Sequence, residues 1–377
     1  MNSNLRVMAI FGTRPEAIKL SPVVQAMQAD ENIDPITLVT AQHREMLDQA
    51  LDLFHIQPDF DLDIMEKDQS LAQVTARIFT DLDPILARVK PDWVIVQGDT
   101  TTVMAATLNA FYHKIKIGHV EAGLRTHDKW QPFPEEINRR IAGVTADLHF
   151  APTTWARKNL LAEGVPEASI KITGNTIIDA LNHVTDIPVP PKMAALLQKH
   201  GIISGKKRLV VVTAHRRENH GQPIKDICSA IAALAHDFQD DVHIVYPVHL
   251  NPHIQQPVHA VLEGISNISL LPPLDYLSLA HLLKNAFLIL TDSGGIQEEA
   301  TGLGIPCLVL REVTERPEGI QAGILTLVGT HTEKIITTAR NLLTDQTAHQ
   351  AMAAGENVYG DGKASWRILE HLCSFSS

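Results

Sequence analysis

Short aliphatic runs, each closed by Gly, Asp or Ser, alternate along the chain with longer stretches of helical periodicity. Residues 5–11 (LRVMAIF) read as a buried strand, followed by Gly-Thr-Arg-Pro and a helix to about residue 29. Further strands are predicted at 36–40 (ITLVT), 93–97 (WVIVQ) and 115–120 (IKIGHV). The pattern restarts at 208–213 (RLVVVT) and continues at 242–246 (VHIVY), 268–271 (ISLL), 286–291 (AFLILT) and 306–310 (PCLVL), with helices in the intervals. These strands are apolar throughout rather than alternating, which suits parallel sheets covered on both faces. Two such blocks predict an α/β protein built from two doubly wound, Rossmann-like domains. A Pro-rich stretch at 187–191 (IPVPP) with a basic turn at 204–208 is one boundary signal, and another lies near residue 172. The Gly-rich turn 360–362 precedes a final helix that could pack back on the first domain. The expected division is 1–172 with 361–377, and 173–360.

Composition narrows the partners. The 377 residues carry 32 Lys and Arg against 43 Asp and Glu, a formal net charge of -11. A nucleic-acid or anionic-membrane binder carries the opposite sign as a rule. Three dispersed cysteines, Cys228, Cys307 and Cys373, make neither a disulfide framework nor a zinc-type pair. No apolar run approaches the ~18 residues of a membrane span, and the first residues run directly into a strand with no signal-peptide pattern. The expectation is a cytoplasmic protein.

Chemistry-bearing residues cluster after the predicted strands. Thr13, Pro15 and Glu16 fit a capped helix start, which leaves Arg14 and Lys19 as cations able to meet an anionic ligand. Segments 98–102 (GDTTT), 119–125 (HVEAGLR) and 132–136 (PFPEE) supply Asp99, Glu121 and Glu135 at or near one sheet edge. One carboxylate there is commonly a cap or a solvated group; three together can move a proton from one face of a carbon to the other. Spacing does not say which is acid and which is base. In the second block, 213–219 (TAHRREN) brings together His215, Arg216 and Arg217, a basic turn or a phosphate contact. In 291–299 (TDSGGIQEE), Ser293 can cap a helix, and Gly294 and Gly295 let a diphosphate approach its N-terminus. Glu298 or Glu299 could then accept from ribose hydroxyls, and Arg316 adds another anion contact. There is neither a GxGxxG nor a GxxxxGK[ST] motif. His249 and His253 have i, i+4 spacing, but Asn251-Pro252 reads as an N-cap and first helical residue, so a structural or substrate-lining role is favoured over zinc. Cys307 reads as a small buried hydrophobe.

Taken together, Phe11–Lys19, Thr40–Gln49, Gly98–Thr102, Gly118–Arg125, Pro132–Glu136, Gly174–Leu181, Tyr246–Pro252, Asp292–Glu299, Thr314–Glu318 and Tyr359–Ala364 resemble the non-hydrolysing bacterial UDP-N-acetylglucosamine 2-epimerases, in that family's order and over essentially the whole chain. The resemblance implies a GT-B fold, two Rossmann-like domains facing across a cleft with the C-terminal helix returning to the first. It implies reversible conversion of UDP-GlcNAc to UDP-ManNAc without metal, nicotinamide or other cofactor, by elimination of UDP to a 2-acetamidoglucal and re-addition, in a homodimer. By motif match, Asp99, Glu121 and Glu135 become the acid/base carboxylates. Arg14, Lys19, His215, Ser293, Gly294, Gly295, Glu299 and Arg316 become the UDP-sugar contacts. Gln42, His43 and Arg44 match a segment with which some members bind UDP-GlcNAc as an effector, whereas Glu45 and Asp68 add negative charge that repels a diphosphate. Competing readings are a hydrolysing epimerase, a GT-B glycosyltransferase and a non-catalytic UDP-sugar sensor.

Overall fold

The computed structural model describes residues 4–41, 44–66 and 69–376. The chain divides into two compact units, Met1–Ala180 with Tyr359–Ser377, and Leu181–Val358. The first holds a seven-stranded sheet of β1 (Leu5–Phe11), β2 (Ile33–Val39), β3 (Phe60–Asp61), β4 (Trp93–Gln97), β5 (Lys116–Val120), β6 (Leu148–Ala151) and β7 (Ile170–Ile172), in the order β3-β2-β1-β4-β5-β6-β7. The second holds six strands, β8 (Arg208–Thr213), β9 (Val242–Pro247), β10 (Ile268–Leu271), β11 (Leu288–Thr291), β12 (Cys307–Val309) and β13 (Leu325–Leu327), in the order β10-β9-β8-β11-β12-β13. Every pairing in both sheets is parallel.

The continuous apolar strands have the cause expected of them. Along β8, Val210 and Val212 join one core while Leu209 and Val211 join the core on the opposite face. Successive side chains point to opposite sides of a strand, so burying both faces needs an uninterrupted apolar run. In β11, Leu288 and Leu290 likewise join the first core and Ile289 the second. Cys228 and Cys307 are buried in these cores, and burial raises both thiols. The predicted strands all form, with ends shifted by a few residues. Four others, β3, β6, β7 and β13, escape the hydrophobic pattern. Of these, β3 has two residues, β7 is an edge strand carrying Lys171, and β6 contains the buried His149.

The helix Ala364–Ser376 belongs to the first unit, as the turn at 360–362 suggested. Phe375 sets its ring edge-on to Trp93 at 5.6 Å. At the start of that helix, Asp179 accepts from the amide of Ser365 (2.8 Å), its hydroxyl (2.7 Å) and the amide of Ala364 (3.2 Å). Just before it, Gly360 (φ +120°) crosses Gly174 (φ +86°) so closely that a Cβ on Gly174 would lie 3.2 Å from the Gly360 Cα. The Asn175 amide donates to the Tyr359 carbonyl there (2.7 Å). No helix among the described residues is long and apolar enough to cross a membrane.

In each unit the strand order reverses beside the first strand, between β1 and β4 and between β8 and β11. Loops leaving neighbouring strands there diverge to opposite faces and open a crevice at the carboxyl edge, the usual ligand position in such sheets.

Candidate active site

In the first unit, the candidate residues gather at this switch point. Arg14 opens the helix Arg14–Ala29 behind β1, and Lys19 lies on its buried face. The helix start is built much as predicted: the Glu16 carboxylate accepts from the amides of Gly12 (3.0 Å) and Thr13 (2.8 Å) and from the Thr13 hydroxyl (2.8 Å). A further bond from the Thr100 hydroxyl (2.5 Å) ties this helix to the loop after β4. Burial raises the Glu16 carboxyl despite these donors.

Glu121 follows β5 directly and is 9 % exposed, with a left-handed backbone at φ +64°. A non-glycine residue held there costs roughly 1–3 kcal/mol, a strain typical of functional positions. Its carboxylate accepts from Lys19 Nζ and Gln97 Nε2, and from Asn175 Nδ2 at 3.2 Å. Asn175 is delivered by the Gly174–Gly360 crossing, so the C-terminal segment helps to fix this carboxylate. Asp99, partly buried after β4, pairs with Arg139 Nη2 and its carbonyl accepts from Asn138 Nδ2 (3.0 Å). Desolvation raises the Asp99 carboxyl; Arg139 opposes this, the charge of Glu121 adds to it, and Lys19 opposes it. His119 donates from Nε2 to the Gly98 carbonyl (2.8 Å), and burial pushes its pKa down to about 3, leaving it neutral at physiological pH.

Glu135 stands in the first turn of the helix Glu135–Thr145, one turn before Arg139. Its neighbour Glu136 is fully buried and accepts from the amides of Thr126 (3.1 Å) and His127 (3.2 Å), fastening the loop that follows β5. Thus the structure joins Asp99, Glu121 and Lys19 in one electrostatic cluster, with Glu135 on the helix that supplies Arg139. Arg125 is structural: it grips Glu163 with Nε (2.8 Å) and Nη2 (2.7 Å) and donates Nη1 to the Leu124 carbonyl (2.7 Å). Arg44 pairs with Asp61 and lies 3.6 Å from Asp48. Gln42, His43 and Asp68 lie outside the described residues.

In the second unit, the fully buried Asp292 organises the loop after β8. Its Oδ2 accepts from the amides of His215 and Arg216 and from Asn219 Nδ2, each at 2.8 Å. The His215 ring stacks on His249 with centroids 5.5 Å apart. Asn251 caps the helix Pro252–Leu262, accepting from the His253 amide (2.9 Å), and His249 stands outside that helix. No cluster of three or more metal-ligating His, Cys, Asp or Glu side chains occurs among the described residues.

One expectation for the helix Gly294–Leu303 needs correction. Ser293 occupies the N-cap position, but its hydroxyl makes no capping bond; its own amide is tied back to Thr291 Oγ1 (3.0 Å). A Cβ on Gly294 would strike Arg316 Nη1 at 2.4 Å, whereas nothing lies within 4 Å of one on Gly295. Arg316 is locked in that position by Glu298 (2.7 Å) and Glu315 (2.7 Å), and Arg311 joins Glu315 at 2.9 Å. Glu298 is therefore committed to Arg316, and Glu299 lies beside the Tyr276 hydroxyl. Burial pushes the Glu315 carboxyl up, but Arg316, Arg311 and Arg216 together pull it below the ordinary range.

Gln97, Asn138, Arg139, Asn175, Asp292 and Glu315 were not singled out from the sequence. Apart from Glu315, which pairs with the nearby Arg311 and Arg316, they have partners far along the chain, as with Arg139 and Asp99 or Asn175 and Glu121. The local signals were Arg139 at helical spacing from Glu135, and Arg311 and Arg316 close in sequence to Glu315.

Two doubly wound α/β units, each with a polar cluster at its switch point, define a two-domain fold of the GT-B class. Residues 25–373 match the family model described as UDP-N-acetylglucosamine 2-epimerase. The chain is 52% identical over 370 residues to the UDP-N-acetylglucosamine 2-epimerase of Yersinia pestis, covering 98% of each chain. It is 50% identical over 370 residues to that of Escherichia coli K12, again covering 98% of each. The crystal structure of the UDP-GlcNAc 2-epimerase from Neisseria meningitidis bound to UDP-GlcNAc superposes with a TM-score of 0.91 at 45% identity, covering 98% of this chain and 100% of that one. The chain belongs to the UDP-N-acetylglucosamine 2-epimerase family.

Proposed function

We propose that this chain interconverts UDP-GlcNAc and UDP-ManNAc by inverting C2 through elimination and re-addition of UDP. The acid/base candidates Asp99, Glu121 and Glu135 lie in the first unit with Arg14 and Lys19, and His215, Ser293–Gly295, Glu299 and Arg316 lie in the second. The observation that carries this reading is a pair of carboxylates in unlike settings within one cluster. Glu121 is buried among the donors Lys19, Gln97 and Asn175. Asp99, paired with Arg139, carries a raised proton affinity because burial outweighs that pairing. Two carboxylates held in such different surroundings can divide proton removal and delivery between them.

In the proposed reaction, a base takes the C2 proton while the C1–O bond breaks and its electron pair leaves with UDP. The C2–H electrons form the C1=C2 bond of a 2-acetamidoglucal. UDP oxygen then re-forms the bond to C1 as a second group delivers a proton to the other face of C2. Asp99, Glu121 and Glu135 are the groups assigned to these transfers. Loss of the diphosphate develops negative charge, which Arg14, Lys19, His215, Arg316 and the helix end at Ser293–Gly295 would stabilise, with Glu299 on the ribose.

The test is turnover and UDP affinity in the Asp99→Asn and Glu121→Gln variants. Epimerisation should fall by about 10²–10⁴-fold in each, the range for a lost acid/base group, while UDP binding measured by calorimetry persists. Wild-type turnover in both variants would remove these carboxylates from the mechanism.

A further inference from the structure

Arg125 and Arg139 are both buried arginines near the proposed site, and they are used very differently. Arg125 satisfies all three of its nitrogens, two on Glu163 and one on a carbonyl. That is the pattern of a structural arginine, because buried donors left without acceptors cost stability. Arg139 is 5 % exposed, yet its Nε and Nη1 are buried without a hydrogen bond among the described residues. Its one side-chain hydrogen bond among the described residues runs from Nη2 to Asp99 Oδ2. The neighbouring Asn138 donates to the Asp99 carbonyl (3.0 Å), so consecutive residues of one helix hold both the side chain and the main chain of Asp99. On the other side, Arg139 Nη1 stands 3.6 Å from Glu136, which fastens the Thr126–His127 loop.

We infer that Arg139 is a positioning residue for the epimerisation, acting through Asp99 by orienting its carboxylate and supplying the cation that supports its charge. This rests on the C2-epimerase reading given above. The charged groups around Asp99 come from three elements: Arg139 on the helix Glu135–Thr145, Glu121 after β5, and Lys19 on the helix Arg14–Ala29. His119, at the Gly98 carbonyl, is neutral and adds no charge. Lys19 is itself engaged by Glu121. Removing Arg139 leaves Asp99 without its direct counter-ion, and burial together with Glu121 then favours the protonated form. Whichever limb of the pH–rate profile belongs to Asp99, as base or as acid, moves in the alkaline direction.

The experiment is kcat and KM for UDP-GlcNAc across pH in the wild type, Arg139→Gln and Arg139→Lys, each also in an Asp99→Asn background. Arg139→Gln should lower kcat about 10²-fold, leave KM unchanged and move one limb of the kcat profile up by about one pH unit. Arg139→Lys should keep that limb near its wild-type position but restore kcat only in part, because it returns the charge without the planar guanidinium. In the Asp99→Asn background both Arg139 changes should add little, as coupled neighbours are non-additive. Unmoved limbs in a folded Arg139→Gln variant would make Arg139 merely structural, and a raised KM at unchanged kcat would make it a substrate contact. Either result overturns the inference. If Arg139→Gln does not fold, the Arg139→Lys cycle decides: a loss fully additive with Asp99→Asn overturns it. An inactive wild type would instead overturn the epimerase reading itself, and this inference with it.

Discussion

Replacing Gly294 by alanine adds a single carbon at the start of the helix Gly294–Leu303, and that carbon would sit 2.4 Å from Arg316 Nη1 and 2.7 Å from its Cζ. Clearing the new methyl to about 3.4 Å requires the guanidinium to retreat by roughly 1 Å. The bonds to Glu298 and Glu315, both 2.7 Å, would then stretch beyond hydrogen-bond range if the carboxylates stayed in place. Each is charge-assisted and buried, worth about 1.5–3 kcal/mol. Alanine recovers about 0.5–1 kcal/mol of helix propensity. The net loss is therefore about 2–5.5 kcal/mol, or roughly 4–20 °C in the transition of a unit this size. Gly295→Ala is the matched control, because nothing lies within 4 Å of the added carbon. Calorimetry of the two variants should show destabilisation for Gly294→Ala alone. With UDP-GlcNAc, Gly295→Ala should instead raise KM by narrowing the approach to the helix end. Equal melting temperatures for the Gly294→Ala variant and the wild type would refute the reasoning.

Two further outcomes are expected. Glu315→Gln should destabilise the second unit by roughly 3 kcal/mol at neutral pH by breaking a buried ion cluster. Since the three arginines hold the folded-state pKa below the unfolded value, this contribution is present above about pH 4.3 and lost as pH falls through the folded value. The stability gap measured by urea unfolding should thus narrow only in acid; a gap that widened there would contradict the assignment. Asp179→Ala should release the start of the helix Ala364–Ser376 and cost about 1–2 kcal/mol, as loss of a helix cap does. Hydrogen exchange of amides 364–376 should accelerate, and unchanged protection would show that the cap contributes nothing.

Much of the architecture was legible because parallel, doubly covered strands leave a strong signature: β1, β4, β8 and β11 are apolar at nearly every position. These same strands flank the switch points, so the loops carrying Arg14, Asp99, His215 and Ser293 could be identified from the chain alone. Short edge strands such as β7 and β13 bury too few residues to stand out. The candidate site was legible as a set of residue types but not as a network. Nothing local reveals that Arg316 fills the space above Gly294, or that Asn175 reaches Glu121 through a crossing with the C-terminal segment. The left-handed backbone of Glu121 is equally invisible, since a glutamate has no preference for that conformation.

The central claim is that the proton at C2 leaves and returns while UDP is detached from C1. Incubating the protein with UDP-GlcNAc alone in deuterated water, and following both epimers by NMR, tests it directly. Solvent deuterium should appear at C2 of UDP-GlcNAc and UDP-ManNAc alike, with both nucleotide sugars conserved. Epimerisation with retention of the original C2 proton, or steady release of free ManNAc and UDP in place of UDP-ManNAc, would contradict it.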